Sequence, residues 1–310
     1  MIYSFTTAIT GLGLFLLGMK YLTIGLKYLV SSQIKNKIKG LTIHPILGLF
    51  IGAVTTMLLQ SSSSTTIIMV GLVEAGLLSI YQVTPMIMGA NIGTTITAQI
   101  IAFNIGPLAA IILLLGVILT LLKANKKVQL LGEVLLGVGL IFIGINLLGE
   151  GLVPLKDFLA FKNVLAELGN RPILGVLMGF STTAIIQSSS TGVAILQSLV
   201  MNNTIAVASA IPILLGQNIG TCVTTLIASL HLGGAGKKVA VIHLLFNTLG
   251  VIVILPFLHQ LYNLAVFMAP TNYARQLAHT HTLFNVITTL LLLPLFPLMV
   301  KGVEKIIRDN

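Results

Sequence analysis

Charged residues, cysteine and tryptophan are scarce in this chain. Only 8% of its 310 residues are charged, whereas soluble domains carry about 25%. Tryptophan is absent, and the single cysteine, Cys222, excludes an internal disulfide and belongs to no metal-binding spacing. By contrast, 56% of the residues are hydrophobic and the mean hydropathy is +1.05. The composition excludes an ordinary soluble domain and predicts an integral membrane protein.

Long apolar windows predict several passages through a bilayer. Leu108 to Leu122 and Val239 to Leu258 are close to or at the length of about 20 residues that a spanning helix needs. Met1 to Thr10 lacks the basic leader of a cleavable signal peptide. We therefore expect a multi-pass protein of the cell (inner or plasma) membrane, embedded in the lipid bilayer and without a soluble domain.

The net charge of +10 does not indicate a nucleic-acid partner. The cations lie mostly in short connections between apolar segments, as at Lys35 to Lys39 and at Lys237 and Lys238. In multi-pass proteins, basic loops mark the cytoplasmic side. We therefore expect the basic loops and the C-terminus to be cytoplasmic.

The second half of the sequence repeats the first. Three segments recur without a gap, each 127 residues after its first copy. They are Pro45 to Gly48 with Pro172 to Gly175, Gln60 to Ser63 with Gln187 to Ser190, and Asn91 to Thr94 with Asn218 to Thr221. In the first apolar segment, Gly11 and Gly18 correspond to Gly137 and Gly144 at an offset of 126. The pattern predicts two homologous halves, residues 1–128 and 129–310.

The distribution of charge predicts that the two halves are inverted in the membrane. If each Gln-Ser segment lies in a re-entrant hairpin, at about residues 45–80 and 172–207, the equivalent loops at Lys35 and Lys156 fall on opposite faces. This topology places eleven loop and tail cations inside the cell and only four outside, Lys156, Lys162, Arg171 and Arg275. The predicted fold is thus an all-α polytopic membrane protein with two inverted-topology repeats, each with a re-entrant helical hairpin and broken helices. Alternating-access carriers of this kind bind substrate and ion at the repeat interface.

The spans that follow the hairpins are predicted from the apolar pattern and from proline. One runs from Pro85 to Phe103, and the last from about Gln276 to Val300. Glu74 falls at the end of the first hairpin, so we expect it to be solvated. Lys20 lies inside the first apolar segment, where it either extends its ammonium to the interface or faces a cavity.

The Gln-Ser segments are the candidate site. Hydroxyls and amides inside hydrocarbon are costly unless they face water, a ligand or each other. An interrupted helix exposes backbone donors, and the positive end of the next helix attracts anions. Hydroxyl and amide oxygens also suit a cation such as sodium. Helix packing alone explains an isolated serine, but not four in a row in two copies. An intramembrane protease needs one nucleophile against one base, so we do not expect an enzyme.

These motifs resemble a known family. The two Gln-Ser-Ser-Ser copies, followed by Gly89 to Thr95 and Gly216 to Thr221, look like those of the type II sodium–phosphate cotransporters and their bacterial relatives. The likeness covers most of the chain and implies sodium-coupled symport of inorganic phosphate, with Na⁺ as coupling ion and no organic cofactor. Animal electrogenic members have an aspartate close behind the first motif, whereas this chain has no Asp before Asp157. A further sodium site built on that carboxylate is therefore not expected.

The resemblance and the duplicated segments name the candidate site residues. Phosphate would bind to Gln60, Ser61, Ser62, Ser63, Ser188 and Ser189. Sodium would bind to Gln187, Ser188, Thr221 and Thr224, with Asn91, Thr94 and Asn218 from the duplicated Asn-Ile-Gly-Thr segments. The residues expected to support the site are Ser64, Thr65, Ser190, Thr191, His243, Asn247, His281 and Asn285.

Several alternatives stay open from the residues alone. His243 with Asn247, and His281 with Asn285, each share a helical face and form either a proton relay or structural hydrogen bonds to the broken segments, which we favour. Helix ends recognise tetrahedral anions in general, so arsenate or sulfate, a passive channel and proton coupling are alternatives to sodium-driven phosphate transport. Stoichiometry, direction of transport and a homodimeric state are likewise undecided.

Overall fold

A computed structural model describes residues 2–30, 44–103, 105, 108–122, 125–157 and 171–307, with the backbone alone at 26–30 and 156. All regular structure in these ranges is helical. The basic loop at Lys35 to Lys39 and the loop residue Lys162 lie outside the described residues.

Thirteen α-helices make up the described part of the chain. In the first half they are α1 (Ile2–Val30), α2 (Pro45–Leu59), α3 (Ser62–Glu74), α4 (Ile80–Ile101), α5 (Leu108–Leu121) and α6 (Lys126–Leu152). In the second half they are α7 (Pro172–Ile186), α8 (Ser189–Met201), α9 (Val207–Ser229), α10 (Gly234–Ile254), α11 (Leu258–Met268), α12 (Tyr273–Leu292) and α13 (Phe296–Ile306). Short 3₁₀ segments occur at Val153–Asp157, Leu255–Phe257 and Leu293–Leu295.

The helices confirm the predicted membrane protein. Five segments are long and apolar enough to cross a bilayer: Ile2–Gly25, Lys126–Leu155, Val207–Ser229, Gly234–Met268 and Tyr273–Ile306. Large apolar side chains on the outer surface remain exposed, for example Leu114 at 61% and Leu290 at 64%. Such an apolar outer surface is stable against lipid rather than water.

The internal repeat is also a repeat in packing. Glycines let α2 cross α4 with their backbones in contact, and α7 crosses α9 in the same way. A methyl group on Gly52 would lie 1.9 Å from the carbonyl oxygen of Met86, and one on Gly179 would lie 1.9 Å from that of Ile213. Both members of the second pair are 127 residues after those of the first. Small residues at a crossing are the usual means of close helix packing in membranes.

Helix α1 packs closely along α6 through its glycines. A methyl group on Gly18 would lie 2.7 Å from the carbonyl oxygen of Gly137, and one on Gly144 would lie 2.4 Å from the amide nitrogen of Phe15. Phe15 is fully buried. The glycine face of α1 thus packs against α6, and the other faces of α1 are not part of this contact.

Two predicted helix boundaries were wrong. Helix α4 begins at Ile80 rather than Pro85, because Ser79 and Gln82 form a capping box in which the Gln82 side chain accepts from the Ser79 amide at 2.8 Å. The last span, Tyr273–Ile306, contains the predicted range from Gln276 to Val300 but is not one α-helix, because a 3₁₀ segment at Leu293–Leu295 interrupts it. Helix α12 ends at Leu292, because the prolines at 294 and 297 lack the backbone N–H that would continue it.

Glu74, which was expected to be solvated, is partly exposed and also makes a structural contact. Its carboxylate accepts hydrogen bonds from the amides of Gly233 and Gly236, at 2.7 and 2.8 Å. These amides belong to the start of α10, where a helix has unpaired donors and a partial positive charge. Glu74, at the end of α3, therefore joins the first half of the chain to a helix of the second.

Replacing Glu74 with alanine is expected to lower the free energy of unfolding by about 1–2 kcal/mol, as the loss of a helix cap does. Thermal unfolding of the purified protein in detergent measures the effect. Glu304→Ala is the matched control, because Glu304 is exposed on α13. Equal melting temperatures for the two variants would show that the Glu74 contacts do not stabilise the fold.

Candidate functional site

Each Gln-Ser segment interrupts a helix at two residues. Gln60 and Gln187 have left-handed backbones, with φ of 51° and 54°, and end α2 and α7. Ser61 and Ser188 follow in extended conformations, with φ of −155° and −142°, and begin α3 and α8. A left-handed non-glycine residue is uncommon, and here the same break occurs in both halves. Strained backbone of this kind concentrates at functional sites.

The serine at each break caps the helix that follows. The Ser61 hydroxyl accepts from the amide of Ser64 at 3.1 Å, and the Ser188 hydroxyl accepts from the amide of Thr191 at 3.3 Å. A helix start has several amides without a partner inside the helix, and each cap occupies only one of them. The amides of the first turn, such as those of Ser62 and Ser63, remain as donors at a positive helix end.

Both breaks face one cavity of about 430 Å³. The first half contributes Gln60, Ser61 and Ser63 to its wall, and the second contributes the segment from Gln187 to Thr191. Helix α1 closes one side with residues between Phe15 and Ile24. The fold therefore brings together two motifs that are 127 residues apart in sequence.

Other predicted site residues lie behind this wall. Ser62 is buried, and its carbonyl accepts from the Thr66 hydroxyl at 2.9 Å. The Thr65 hydroxyl donates to the Ser61 carbonyl at 3.0 Å, whereas Ser64 is exposed and bonds to the Ser61 hydroxyl at 2.8 Å. Any contact of Ser62 with a ligand in the cavity would therefore be made by its backbone amide.

The two halves differ at their glutamines. The Gln60 side chain is buried, and its Oε1 accepts from the Thr97 hydroxyl at 2.8 Å. Gln187 is exposed, and the buried hydroxyl of Thr224 has no hydrogen-bond partner among the described residues. Thr97 and Thr224 are equivalent in the repeat. Gln60 is therefore hydrogen-bonded to its threonine, whereas Gln187 is exposed and does not bond to Thr224. Thr97 was not among the predicted site residues, although its match to Thr224 in the repeat is visible in the sequence.

Of the predicted sodium ligands, only Gln187 and Ser188 line the cavity; Thr224 and the others do not. The Thr221 hydroxyl donates to the Gln217 carbonyl at 2.8 Å, and the Thr94 hydroxyl donates to the Ala90 carbonyl at 3.1 Å. Asn91 donates from Nδ2 to Oδ1 of Asn247 at 2.8 Å. Asn218 Oδ1 lies 3.3 Å from Nε2 of His281.

The His-Asn pairs hold the Asn-Ile-Gly-Thr segments in both halves. Asn247 links Asn91 of α4 to α10, and its Nδ2 also donates to the carbonyl of His243 at 2.9 Å. In the same way, Asn285 donates to the carbonyl of His281 at 2.9 Å, and His281 contacts Asn218 of α9. All four side chains are buried, and none lines the cavity. This geometry favours a structural role over a proton relay.

Sequence reasoning missed two threonines next to the breaks. Thr56 and Thr183 are buried one turn before each glutamine, and neither hydroxyl has a partner among the described residues. Buried hydroxyls usually have a partner, so each such oxygen needs an explanation. Their recurrence as Thr55-Thr56 and Thr182-Thr183 was the available signal.

A family model describes most of this chain. The model described as "Na+/Pi-cotransporter" matches residues 14–150 and 158–269. The chain belongs to this family. The match includes both helix breaks, the Asn-Ile-Gly-Thr segments and the cavity-lining part of α1. The family is one of transporters, and it fits the all-helical membrane fold.

Individual relatives cover different shares of the chain. "Uncharacterized protein YqeW" of Bacillus subtilis is 36% identical over 293 residues, which are 94% of this chain and 95% of that protein. "Putative inorganic phosphate export protein YjbB" of Escherichia coli is 28% identical over 84% of this chain, but this chain spans only 48% of that protein. "Sodium-dependent phosphate transport protein 2A" of Rattus norvegicus is 38% identical over 109 residues, or 31% of this chain and 17% of that protein. No solved structure matches the chain.

Proposed function

We propose that this protein is a secondary active carrier that moves inorganic phosphate together with sodium by alternating access. One observation carries the proposal: two helix breaks of the same geometry, one from each half, face a single cavity. Membership of the Na⁺/Pi-cotransporter family supports phosphate as substrate and sodium as coupling ion. The names of the Escherichia coli and rat relatives agree with phosphate transport; the first specifies export and the second dependence on sodium.

The cavity has the chemistry that a tetrahedral oxyanion requires. Its described wall contains no aspartate or glutamate. The positive ends of α3 and α8 meet there, and serine hydroxyls and free amides supply donors for several oxygens at once. Its volume of about 430 Å³ lies within the usual range for small-molecule sites. Phosphate is proposed to bind between Gln60, Ser61, Ser63, Ser188 and Ser189, with the amide of Ser62 as a further donor.

Sodium is proposed to bind on the second-half side of the cavity. Gln187 and Ser188 line the cavity. Thr224 is not part of its wall, but the Thr224 hydroxyl has no hydrogen-bond partner among the described residues and offers an oxygen that a cation could coordinate. Thr221 stands one turn before Thr224 on the same helix, and its hydroxyl keeps lone pairs while donating. Asn91, Thr94 and Asn218 are assigned to fixing the broken helices, because their side chains bond to neighbouring groups.

The difference between the two glutamines supports alternating access. In carriers built from inverted repeats, one repeat moves against the other around a fixed site. Among the described residues, Gln60 is bonded to Thr97, whereas the equivalent Thr224 has no partner and Gln187 is exposed, so equivalent parts of the two halves differ in conformation. In the opposite state, Gln187 is proposed to dock on Thr224 while Gln60 leaves Thr97.

Uptake by purified protein in proteoliposomes tests the function. An inward sodium gradient is expected to drive accumulation of labelled phosphate. Replacing sodium by potassium or choline is expected to abolish this accumulation. Equal rates in all three salts would indicate a channel or a proton-driven carrier. Competition by arsenate and by sulfate in the same assay separates phosphate selectivity from general oxyanion transport.

Labelling of single cysteines tests the proposed inversion. The turns after α3 and α8 are equivalent, because Gly76 and Asn203 are 127 residues apart and both have left-handed backbones, with φ of 68° and 53°. Leu77→Cys is expected to react only from the cytoplasm, and Asn203→Cys only from outside; both positions are exposed. An impermeant maleimide applied to intact cells and then to inverted vesicles measures this. Labelling of both from one face would contradict the inversion.

A further inference from the structure

Helix α1 presents a stripe of side chains to the cavity. Phe15, Met19 and Thr23, spaced four residues apart, line it, and so do Leu16, Lys20 and Ile24 at the same spacing. The row of Leu16, Lys20 and Ile24 lies on the side of the helix opposite the glycines that contact α6, whereas Phe15 lies beside those glycines. Lys20 is the only charged residue in the described wall of the cavity.

Lys20 lies inside the apolar span of α1 and lines the cavity. It stands five residues before Gly25, where that span ends, or about 7.5 Å along the axis at the rise of an α-helix. Its side chain is exposed. Within membrane spans, ionisable residues face a water-filled cavity or the bundle interior and pair with an opposite charge. In the described part of the chain, no carboxylate in the cavity wall provides that charge.

The repeat does not account for this lysine. Aligning Gly18 with Gly144 places Asn146 at the position equivalent to Lys20. Asn146 is exposed on α6 and is not part of the cavity wall. The positive charge is therefore supplied by one half alone, on the helix beside both breaks.

We infer that Lys20 is a direct ligand of the transported oxyanion and supplies the fixed positive charge of its site. Its ammonium has three donors, and the anion brings the negative charge that the wall lacks. Each helix start contributes about half a charge, so α3 and α8 together balance only about one charge of a phosphate dianion. Lys20 balances the second. The inference rests on the proposed function and adds a ligand from outside the Gln-Ser segments.

Lys20→Met tests the inference because it keeps an unbranched side chain of nearly the same length and removes its charge. The half-saturating phosphate concentration for uptake is expected to rise at least about tenfold, as for the loss of a hydrogen bond to a charged group. Lys127→Met is the matched control, since Lys127 is exposed in the first turn of α6 and outside the cavity wall. Its half-saturating concentration is expected to stay at the wild-type value. A Lys20→Met variant whose half-saturating phosphate concentration equals that of the wild type would overturn the inference.

Chemical rescue distinguishes charge from side-chain shape. The Lys20→Cys variant is expected to bind phosphate more weakly. Reaction with aminoethyl methanethiosulfonate restores an ammonium at this position and is expected to recover most of the affinity. The sulfonatoethyl reagent places a negative charge at the same point and is expected to lower affinity further. Wild-type protein treated with the same reagents is the control for reaction at Cys222, which is buried. Equal affinity after both reagents would exclude a role for the charge.

The two possible failures give different results. If wild-type protein does not move phosphate, the proposed function fails and the role of Lys20 fails with it. If wild-type protein moves phosphate and the Lys20 variants match it, only the inference about Lys20 fails.

Discussion

Replacing Gln60 or Gln187 with alanine is expected to remove most of the sodium-driven phosphate uptake while the protein still inserts and folds. Both residues line the cavity, and they are the C-cap residues of α2 and α7. Gln60 also accepts from Thr97 across to α4. Alanine removes the amide from a site where hydrogen bonds to a charged ligand are worth about 1.5–3 kcal/mol each. We expect at least a tenfold fall in uptake from each variant, and background rates from the double variant.

Backbone strain has to be separated from ligand loss in this experiment. Alanine is less tolerant than asparagine of the left-handed conformation that Gln60 and Gln187 adopt. Gln60→Asn and Gln187→Asn keep an amide and tolerate that backbone, but their side chains are one carbon shorter. Uptake is expected to stay low in both, with melting temperatures near that of the wild type. Gln260→Ala, at an exposed position of α11, is the matched control. Wild-type uptake by the alanine variants would remove these residues from the site.

The sequence predicted the helix breaks because their signal is local and duplicated. A run such as Gln60 to Ser64 inside apolar sequence marks a segment that lipid cannot surround, and its copy at Gln187 shows that it is retained in both halves. The meeting of the two copies in one cavity was expected from the predicted inverted repeats, because carriers of that architecture bind substrate at the repeat interface.

Other features depended on partners that are distant in sequence. Glu74 caps a helix that begins 160 residues later, at Gly234, and a pattern of apolar residues contains no sign of that contact. Asn91 and Asn218 carried the right chemistry for sodium, but the amide nitrogen of Asn91 bonds to α10 and the side-chain oxygen of Asn218 contacts α12. Thr97 lies 37 residues from Gln60, and only the fold shows which of many threonines reaches it. Lys20 had two interpretations until the position of α1 beside the cavity was known.

The position of the two breaks depends on the glycine crossings behind them. Helix α2 carries Gln60 and lies against α4, where a methyl group on Gly89 would stand 1.9 Å from the carbonyl oxygen of Leu49. In the second half, a methyl group on Gly216 would stand 1.9 Å from the carbonyl oxygen of Val176, which belongs to α7. Backbone carbonyls in a helix cannot move aside alone, so any side chain here has to separate the two helices.

Gly89→Ala is therefore expected to destabilise the protein by at least about 2–3 kcal/mol, as overpacking of a close contact does, and to abolish uptake. Separating α2 from α4 also displaces Gln60 from Thr97, which are carried by these two helices. Thermal unfolding and the yield of monodisperse protein measure the first effect, and proteoliposome uptake measures the second. Gly216→Ala is expected to have the same two effects, because Gly216 makes the equivalent contact between α9 and α7.

Gly71→Ala is the matched control for this change. Gly71 is also in a helix, α3, but a methyl group there would meet nothing within 4 Å. Alanine favours helix over glycine by about 1 kcal/mol, so this variant is expected to be as stable as the wild type or slightly more so. Equal melting temperatures for Gly89→Ala and Gly71→Ala would mean that the α2–α4 crossing is looser than the structure has it. A loss of stability at Gly89 and Gly216 but not at Gly71 would establish that two equivalent crossings hold the two breaks against the same cavity.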